Sequence, residues 1–262
     1  MLNLLTKTAA ILISLILSNP VFASGTIISI PVRQNVEIKA HYLKHETPSK
    51  ALLILLPGGA GGLGGIENGE PKSNNFLIRS RTLFYDKNFD VVSVGRASDQ
   101  TDLTQGYRVT PEHVSDLKAV ITALRAQSNL PIWLIGTSRG TISEAAAAIN
   151  FGQSLLSGLV FTSSVTVGQG AVNWQDLDKI GLPTLVLHNK QDECKLCPPS
   201  GAASILRSLK KSTVKKLIMV EGGEGVHGDT CEAFHYHGFM GIEPRVVDII
   251  SDWIDHPIGD EK

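Results

Sequence analysis

The residues best placed to do chemistry are Gly136-Thr137-Ser138-Arg139-Gly140, which follow the apolar run Pro131-Ile-Trp-Leu-Ile135 and precede the Ala-rich stretch Thr141 to Asn150. A serine at a tight turn from strand to helix projects its hydroxyl above the sheet. Flanking glycines let neighbouring backbone come close, and the N–H of the next residue, at the helix N-terminus, aims where an oxyanion would form. The chemistry is nucleophilic attack on an acyl carbon. Composition alone yields G-x-S-x-G roughly 0.2 times in a chain of this length, so an ordinary glycine turn is the competing reading. The position between an apolar run and a helix favours the nucleophile.

Such a turn needs a sheet beneath it. Ala51-Leu-Leu-Ile-Leu-Leu56 is uninterrupted and apolar, as in a strand buried on both faces of a parallel sheet, and Pro57-Gly58-Gly59 ends it. A polar, β-like lead-in runs from Ile27 to Leu43. Asp90–Val94, Leu159–Val165, Thr184–His188 and Val214–Val220 read as further strands. Helices are predicted over Asn75–Lys87, over Gly201–Lys211, over Pro244–Ile254, and from Pro111 through Leu124 with Thr110 as N-cap. Strands alternating with helices predict an α/β fold, a mostly parallel central sheet flanked by helices. No repeat or linker divides residues 24–262, so one domain is expected.

Lys and Arg number 24 against 25 Asp and Glu in 262 residues, a formal net charge of −1. Without a basic stripe to displace counterions from phosphates, no nucleic-acid partner is expected. Residues 1–23 have the form of a cleaved secretory signal: Lys7, an apolar core from Ala9 to Leu17, and Val21-Phe22-Ala23 as a small-x-small site. That core is shorter than the roughly 20 residues needed to span a bilayer. The mature chain is therefore expected to be secreted or periplasmic, with no membrane association after cleavage; an uncleaved anchor or a buried N-terminal helix is the alternative. In an oxidising compartment Cys194, Cys197 and Cys231 allow one disulfide and leave one thiol. A structural bridge from Cys231 to Cys194 or Cys197 is expected. A redox pair at Cys194-x-x-Cys197 fits less well, because Pro198-Pro199 disfavour an immediate helix start, and a zinc site with His227 or His235 is a further alternative.

With the serine turn in this setting, nearly all of the mature chain resembles the α/β-hydrolase family, and the matching positions are found one by one. Pro57-Gly58-Gly59-Ala60-Gly61-Gly62 resembles the family's glycine-rich oxyanion loop, with Pro57 where a histidine often stands. The resemblance implies an oxyanion hole from the N–H groups of Gly59, with Ala60 next, and Arg139. A phosphate-cradling loop is excluded because no Lys-Ser/Thr follows, and Gly59-x-Gly61-x-x-Gly64 opens no clear helix as a dinucleotide fingerprint should. Asp192, four residues after the strand ending at His188, matches the family's acid; His188 reads as a site neighbour or a satisfied core histidine. Three histidines follow the last strand. His237 best fits the spacing to an amphipathic C-terminal helix carrying Val246, Ile249, Ile250 and Trp253, with His227 and His235 as alternatives. A bridge from Cys231 to the Asp192 segment would tie the histidine loop to the acid loop.

The resemblance thus implies a Ser138–His237–Asp192 triad acting on small-molecule acyl substrates, with neither metal nor organic cofactor. Thr166 to Leu182 is too short for a helical cap, which predicts an open pocket suited to small or exposed acyl groups. Asn75–Arg81 and Arg96–Gln105 are candidate rims, and Arg79, Arg81, Arg96 and Arg139 are candidate anion contacts or simply solvated. Carboxylesterase is the leading activity, with peptidase, thioesterase and polysaccharide deacylase open. A non-catalytic ligand- or partner-binding relative and a zinc-dependent hydrolase using the Cys/His cluster are the competing classes. Sequence leaves the oligomeric state undetermined.

Overall fold

The computed structural model describes residues 25–259; the signal reading over residues 1–23 falls outside them. The chain opens with a hairpin, β1 (Thr26–Arg33) and β2 (Val36–Leu43), followed by β3 (Leu52–Leu56) and a minimal hairpin of β4 (Ile66–Glu67) and β5 (Glu70–Pro71). Helices α1 (Phe76–Arg79) and α2 (Arg81–Tyr85) lead into β6 (Asp90–Ala97), α3 (Pro111–Arg125), β7 (Ile132–Thr137) and α4 (Gly140–Ala147). Then come α5 (Gln153–Leu155), β8 (Gly158–Thr162), β9 (Thr184–Asn189), α6 (Ser200–Ser208), β10 (Lys215–Val220) and α7 (Glu243–Asp255).

Eight strands form one sheet in the order β1-β2-β6-β3-β7-β8-β9-β10. β1–β2 and β2–β6 pair antiparallel and every other neighbour parallel. The apolar run read as a two-faced strand behaves as one. Leu52, Ile54 and Leu56 of β3 face a core shared with Leu117 of α3, Ile142 of α4 and Ile205 of α6. Leu53 and Leu55 face the opposite core, with Phe76 of α1, Phe84 of α2 and Val246 of α7. Period-two alternation on a sheet covered on both sides requires this division. Trp133 of β7 meets Trp253 of α7 edge to face at 5.6 Å, seating the C-terminal helix.

The chain departs from the sequence-based expectations in several places. Asn75–Lys87 is two short helices rather than one, because Ser80 takes φ −96°, ψ 3°, and Arg81 Nη1 donates to the freed carbonyl of Ile78. The helix after the serine turn widens into a π segment over Ala148–Gly152. The β4–β5 hairpin, two residues a strand, has too little pattern to be read. Element ends shift too: the strand expected over Leu159–Val165 stops at Thr162, and α6 begins at Ser200 directly after Pro198-Pro199, where an immediate start was not expected. Thr110 caps α3 as expected, accepting from the N–H of His113 at 3.2 Å.

β6 lies on one side of β3 and β7 on the other, so chain order reverses there and the loops after β3 and β7 emerge side by side at the carboxyl ends of the strands. That is the position where open α/β sheets form their crevices.

Candidate active site

Ser138 sits at the sharp turn between β7 and α4 with φ +52°, a left-handed conformation unusual for a residue bearing a Cβ. Its N–H donates to Thr162 O at 3.1 Å, and its carbonyl accepts from the N–H of Thr141 at 3.0 Å and from Thr141 Oγ1 at 2.6 Å, so the turn is pinned on both sides. The flanking glycines are sterically required. A Cβ on Gly140 would lie 2.0 Å from Leu56 O, and one on Gly136 would lie 2.5 Å from Glu144 Oε2. Glu144 is fully buried, and burial raises its pKa well above the usual carboxylate range although its Oε1 accepts from Val160 N at 2.9 Å. Its carboxyl lies under the turn, beside Gly136, a burial that nothing local in the sequence signals.

The glycine loop after β3 lies directly over the serine: a Cβ on Gly58 would come within 2.7 Å of Ser138 Cβ and 3.3 Å of its Oγ. The N–H groups of Gly59, Ala60 and Arg139 have no acceptor among the described residues. Gly58–Gly61 and Ser138–Arg139 line one cavity of about 440 Å³, together with His237.

Asp192 follows β9 in a turn closed by its own N–H on Asn189 O at 3.1 Å. The carboxylate is buried and fully engaged. Oδ1 accepts from Cys194 N at 2.9 Å, while Oδ2 accepts from His237 Nδ1 at 2.8 Å and His188 Nε2 at 3.1 Å. Burial alone would raise its pKa, but the hydrogen bonds from His188 and His237 outweigh burial and hold it at about 2. Since Nδ1 of His237 faces a carboxylate, it carries the ring proton. Nε2 is left with its lone pair free, buried and without a hydrogen-bond partner. His188 is fixed by the same logic: its Nε2 faces two acceptors, Asp192 Oδ2 and Cys197 O at 3.0 Å, and therefore donates.

His237 is delivered by a 3-10 turn, Tyr236–Gly238. Ser163 Oγ donates to its carbonyl at 2.8 Å, and Arg79, paired with Glu243, donates to Gly238 O at 2.6 Å. Phe239 follows with φ +58° and packs edge to face on Phe76, 4.9 Å away. The other two histidines are elsewhere. His227 is exposed, with Nδ1 donating to Gly225 O, and His235 stacks edge-on against Tyr236; neither lines the cavity.

The expected disulfide is present, and it joins Cys194 to Cys231. It links the turn after Asp192 to the segment six residues before His237. Cys197 remains a buried free thiol whose pKa burial pushes upward, the opposite of an activated redox cysteine. The one Cys/His grouping of metal-ligand spacing among the described residues is Cys194, Cys197 and His237. Cys194 and Cys231 are spent in the disulfide and His237 faces Asp192, so these residues do not fit the zinc site that the sequence left open. Of the candidate anion contacts, Arg79 and Arg81 are committed to Glu243 and Glu70, Arg96 lies 3.5 Å from Gly61 O, and Arg139 at the cavity is 3.7 Å from Asp102. Between β8 and β9 the chain forms only two single 3-10 turns, Val172–Trp174 and Leu177–Lys179. No helical cap is inserted there.

No family model matches the chain, and no curated protein matches it in sequence. Solved structures do match in fold. Est1E from Butyrivibrio proteoclasticus superposes with a TM-score of 0.62 at 13% identity, covering 88% of this chain and 98% of that one. An α/β serine hydrolase homologue from Coxiella burnetii gives 0.60 at 15%, covering 90% and 99%. A lidless α/β serine hydrolase from Xanthomonas campestris gives 0.55 at 16%, covering 91% and 96%. The eight-stranded, mostly parallel sheet, the helices on both its faces and these whole-length superpositions assign the chain the α/β-hydrolase fold.

Proposed function

We propose that the protein is a serine hydrolase that cleaves ester-type acyl substrates, of carboxylesterase type, through Ser138, His237 and Asp192. One observation carries the reading: the serine on the strained turn and the imidazole with a free Nε2 line one cavity, and that imidazole is locked through Nδ1 onto a buried carboxylate. Fold likeness to esterases is consistent with this, but the reading rests on the side chains.

In the proposed reaction His237 Nε2 takes the Ser138 hydroxyl proton as Oγ attacks the acyl carbon. The N–H groups of Gly59 and Arg139 receive the oxyanion. His237 then returns the proton to the leaving alkoxide, giving an acyl-enzyme and a free alcohol. Water, deprotonated by the same imidazole, attacks the acyl-enzyme and regenerates Ser138 with release of the acid. Asp192 holds the Nδ1–H tautomer and stabilises the imidazolium. With no helical insertion between β8 and β9, the cavity suits small or exposed acyl groups. The signal-like residues 1–23 and the Cys194–Cys231 disulfide support export to an oxidising compartment.

The test is covalent labelling with a fluorophosphonate followed by peptide mapping. The adduct is expected on Ser138 and absent in Ser138→Ala. An adduct on another residue, or no adduct together with no turnover of any activated ester, contradicts the proposal.

A further inference from the structure

The loop Pro57-Gly58-Gly59-Ala60-Gly61-Gly62 has almost no side chain to hold it, yet oxyanion donors act only when fixed to a fraction of an ångström. Four consecutive carbonyls of this loop are nevertheless engaged. Pro57 O and Gly59 O each accept from Arg108 Nη2 at 3.2 Å, Gly58 O accepts from Gly61 N at 2.9 Å, and Ala60 O accepts from Leu103 N at 2.9 Å. Leu103 is tied to the same side chain, its carbonyl accepting from Arg108 Nε at 2.9 Å. In a trans peptide the C=O and N–H point in opposite directions, so fixing the carbonyls of residues 57, 58 and 59 fixes the N–H groups of 58, 59 and 60. Those of Gly59 and Ala60 are free donors on residues that line the cavity with Ser138.

We propose that Arg108 is the positioning residue of the oxyanion loop: its guanidinium holds the glycine backbone from behind so that the loop N–H groups stay aimed into the cavity. This inference rests on the acyl-transfer reading above. Arg108 is 1% exposed, and every acceptor it reaches is neutral: three carbonyls and Ser143 Oγ, the last at 2.9 Å. Ser143 Oγ is in turn hydrogen-bonded to His113 Nε2 at 2.8 Å, and burial, with the Arg108 charge second, lowers the pKa of that imidazole to about 3. A buried guanidinium without a carboxylate partner is costly for stability alone. Behind a peptide plane that receives an oxyanion, the same charge favours the transition state over the neutral substrate.

The test uses the full mature chain with Arg108→Met, Arg108→Gln and Arg108→Lys, read by kcat and KM on an activated ester, by affinity for a trifluoromethyl ketone, and by thermal melting. In folded Arg108→Met or Arg108→Gln, kcat is expected to fall at least about 30-fold with KM changed less than about threefold, and ketone affinity to fall in proportion to kcat/KM. Arg108→Lys keeps the charge but not the fork, so its loss should be intermediate. The lysine variant preserves volume and charge, and it carries the test if the others do not fold. Retention of kcat within threefold in any folded variant, or a loss of kcat with ketone affinity unchanged, overturns the proposal. A wild-type protein that hydrolyses no ester and takes no fluorophosphonate overturns the acyl-transfer reading itself.

Discussion

Removing the Cys194–Cys231 bridge should loosen both the fold and the proposed catalytic geometry. The bridge spans a sequence separation of 37, and in the chain-entropy model a loop of that size removes about 4 kcal/mol of freedom from the unfolded state. For a domain of this size each kcal/mol moves Tm by roughly 2–4 °C, so the melting temperature should drop by roughly 8–16 °C. The double variant Cys194→Ser/Cys231→Ser is the cleaner perturbation. A single variant would leave a thiol near Cys197, whose sulfur lies within 4.8 Å of that of Cys194. The bridge also joins the Asp192 turn to the segment carrying His237, and a misplacement of about 1 Å in such a group costs on the order of 10²-fold in rate. Cys194 N still donates to Asp192 Oδ1 once the sulfur is gone, so the acid stays in place and the histidine moves. The assay is a thermal melt together with kcat on an activated ester, comparing oxidised wild type, reduced wild type and the double variant. A Tm within about 2 °C and an unchanged kcat would refute the argument that the bridge tensions the site.

Two further predictions follow from the geometry. Because the folded pKa of Asp192 is lowered to about 2 from 3.8, its ionisation contributes on the order of 2 kcal/mol of stability, present above pH ~4 and lost as pH falls toward 2; Asp192→Asn should flatten that acid slope of the urea midpoint, and an identical slope in the variant would count against it. At Ser138, φ +52° strains any residue with a Cβ by roughly 1–2 kcal/mol, so Ser138→Gly should melt higher than Ser138→Ala although both are inactive. Glycine's extra unfolded-state entropy reduces the gap to about 1 kcal/mol or less, and an alanine variant as stable as the glycine one would argue against stored strain.

Much of this molecule is legible in sequence because its signals are local. The strand under the glycine loop is a pure apolar run, α3 carries its cap and its N1 proline, and the serine turn is specified by glycines whose Cβ atoms would collide with backbone or a buried carboxyl. The acid and the histidine were legible only through chain order relative to a family pattern, and the structure brings Asp192 and His237 within 2.8 Å of each other. The contacts that sequence missed are long-range and carried by residues that read as ordinary surface or core. Arg108 looks like a solvated cation in a short turn, and nothing local says that it is buried behind a loop some fifty positions away. His188 was legible as a neighbour of the acid but not as a second donor to the same carboxylate oxygen. Glu144 lies in an Ala-rich helix where a charged face is the default expectation, yet the helix packs under the turn and buries it.

The central claim is that Ser138 and His237 act as one unit. Measuring kcat/KM for Ser138→Ala, His237→Ala and the double variant on an activated ester tests it most directly. Each single change should cost about 10⁶-fold in turnover, and the double variant should be no worse than either, because removing one member already disables the other. Wild-type turnover in Ser138→Ala, or losses that multiply in the double variant, would contradict the account.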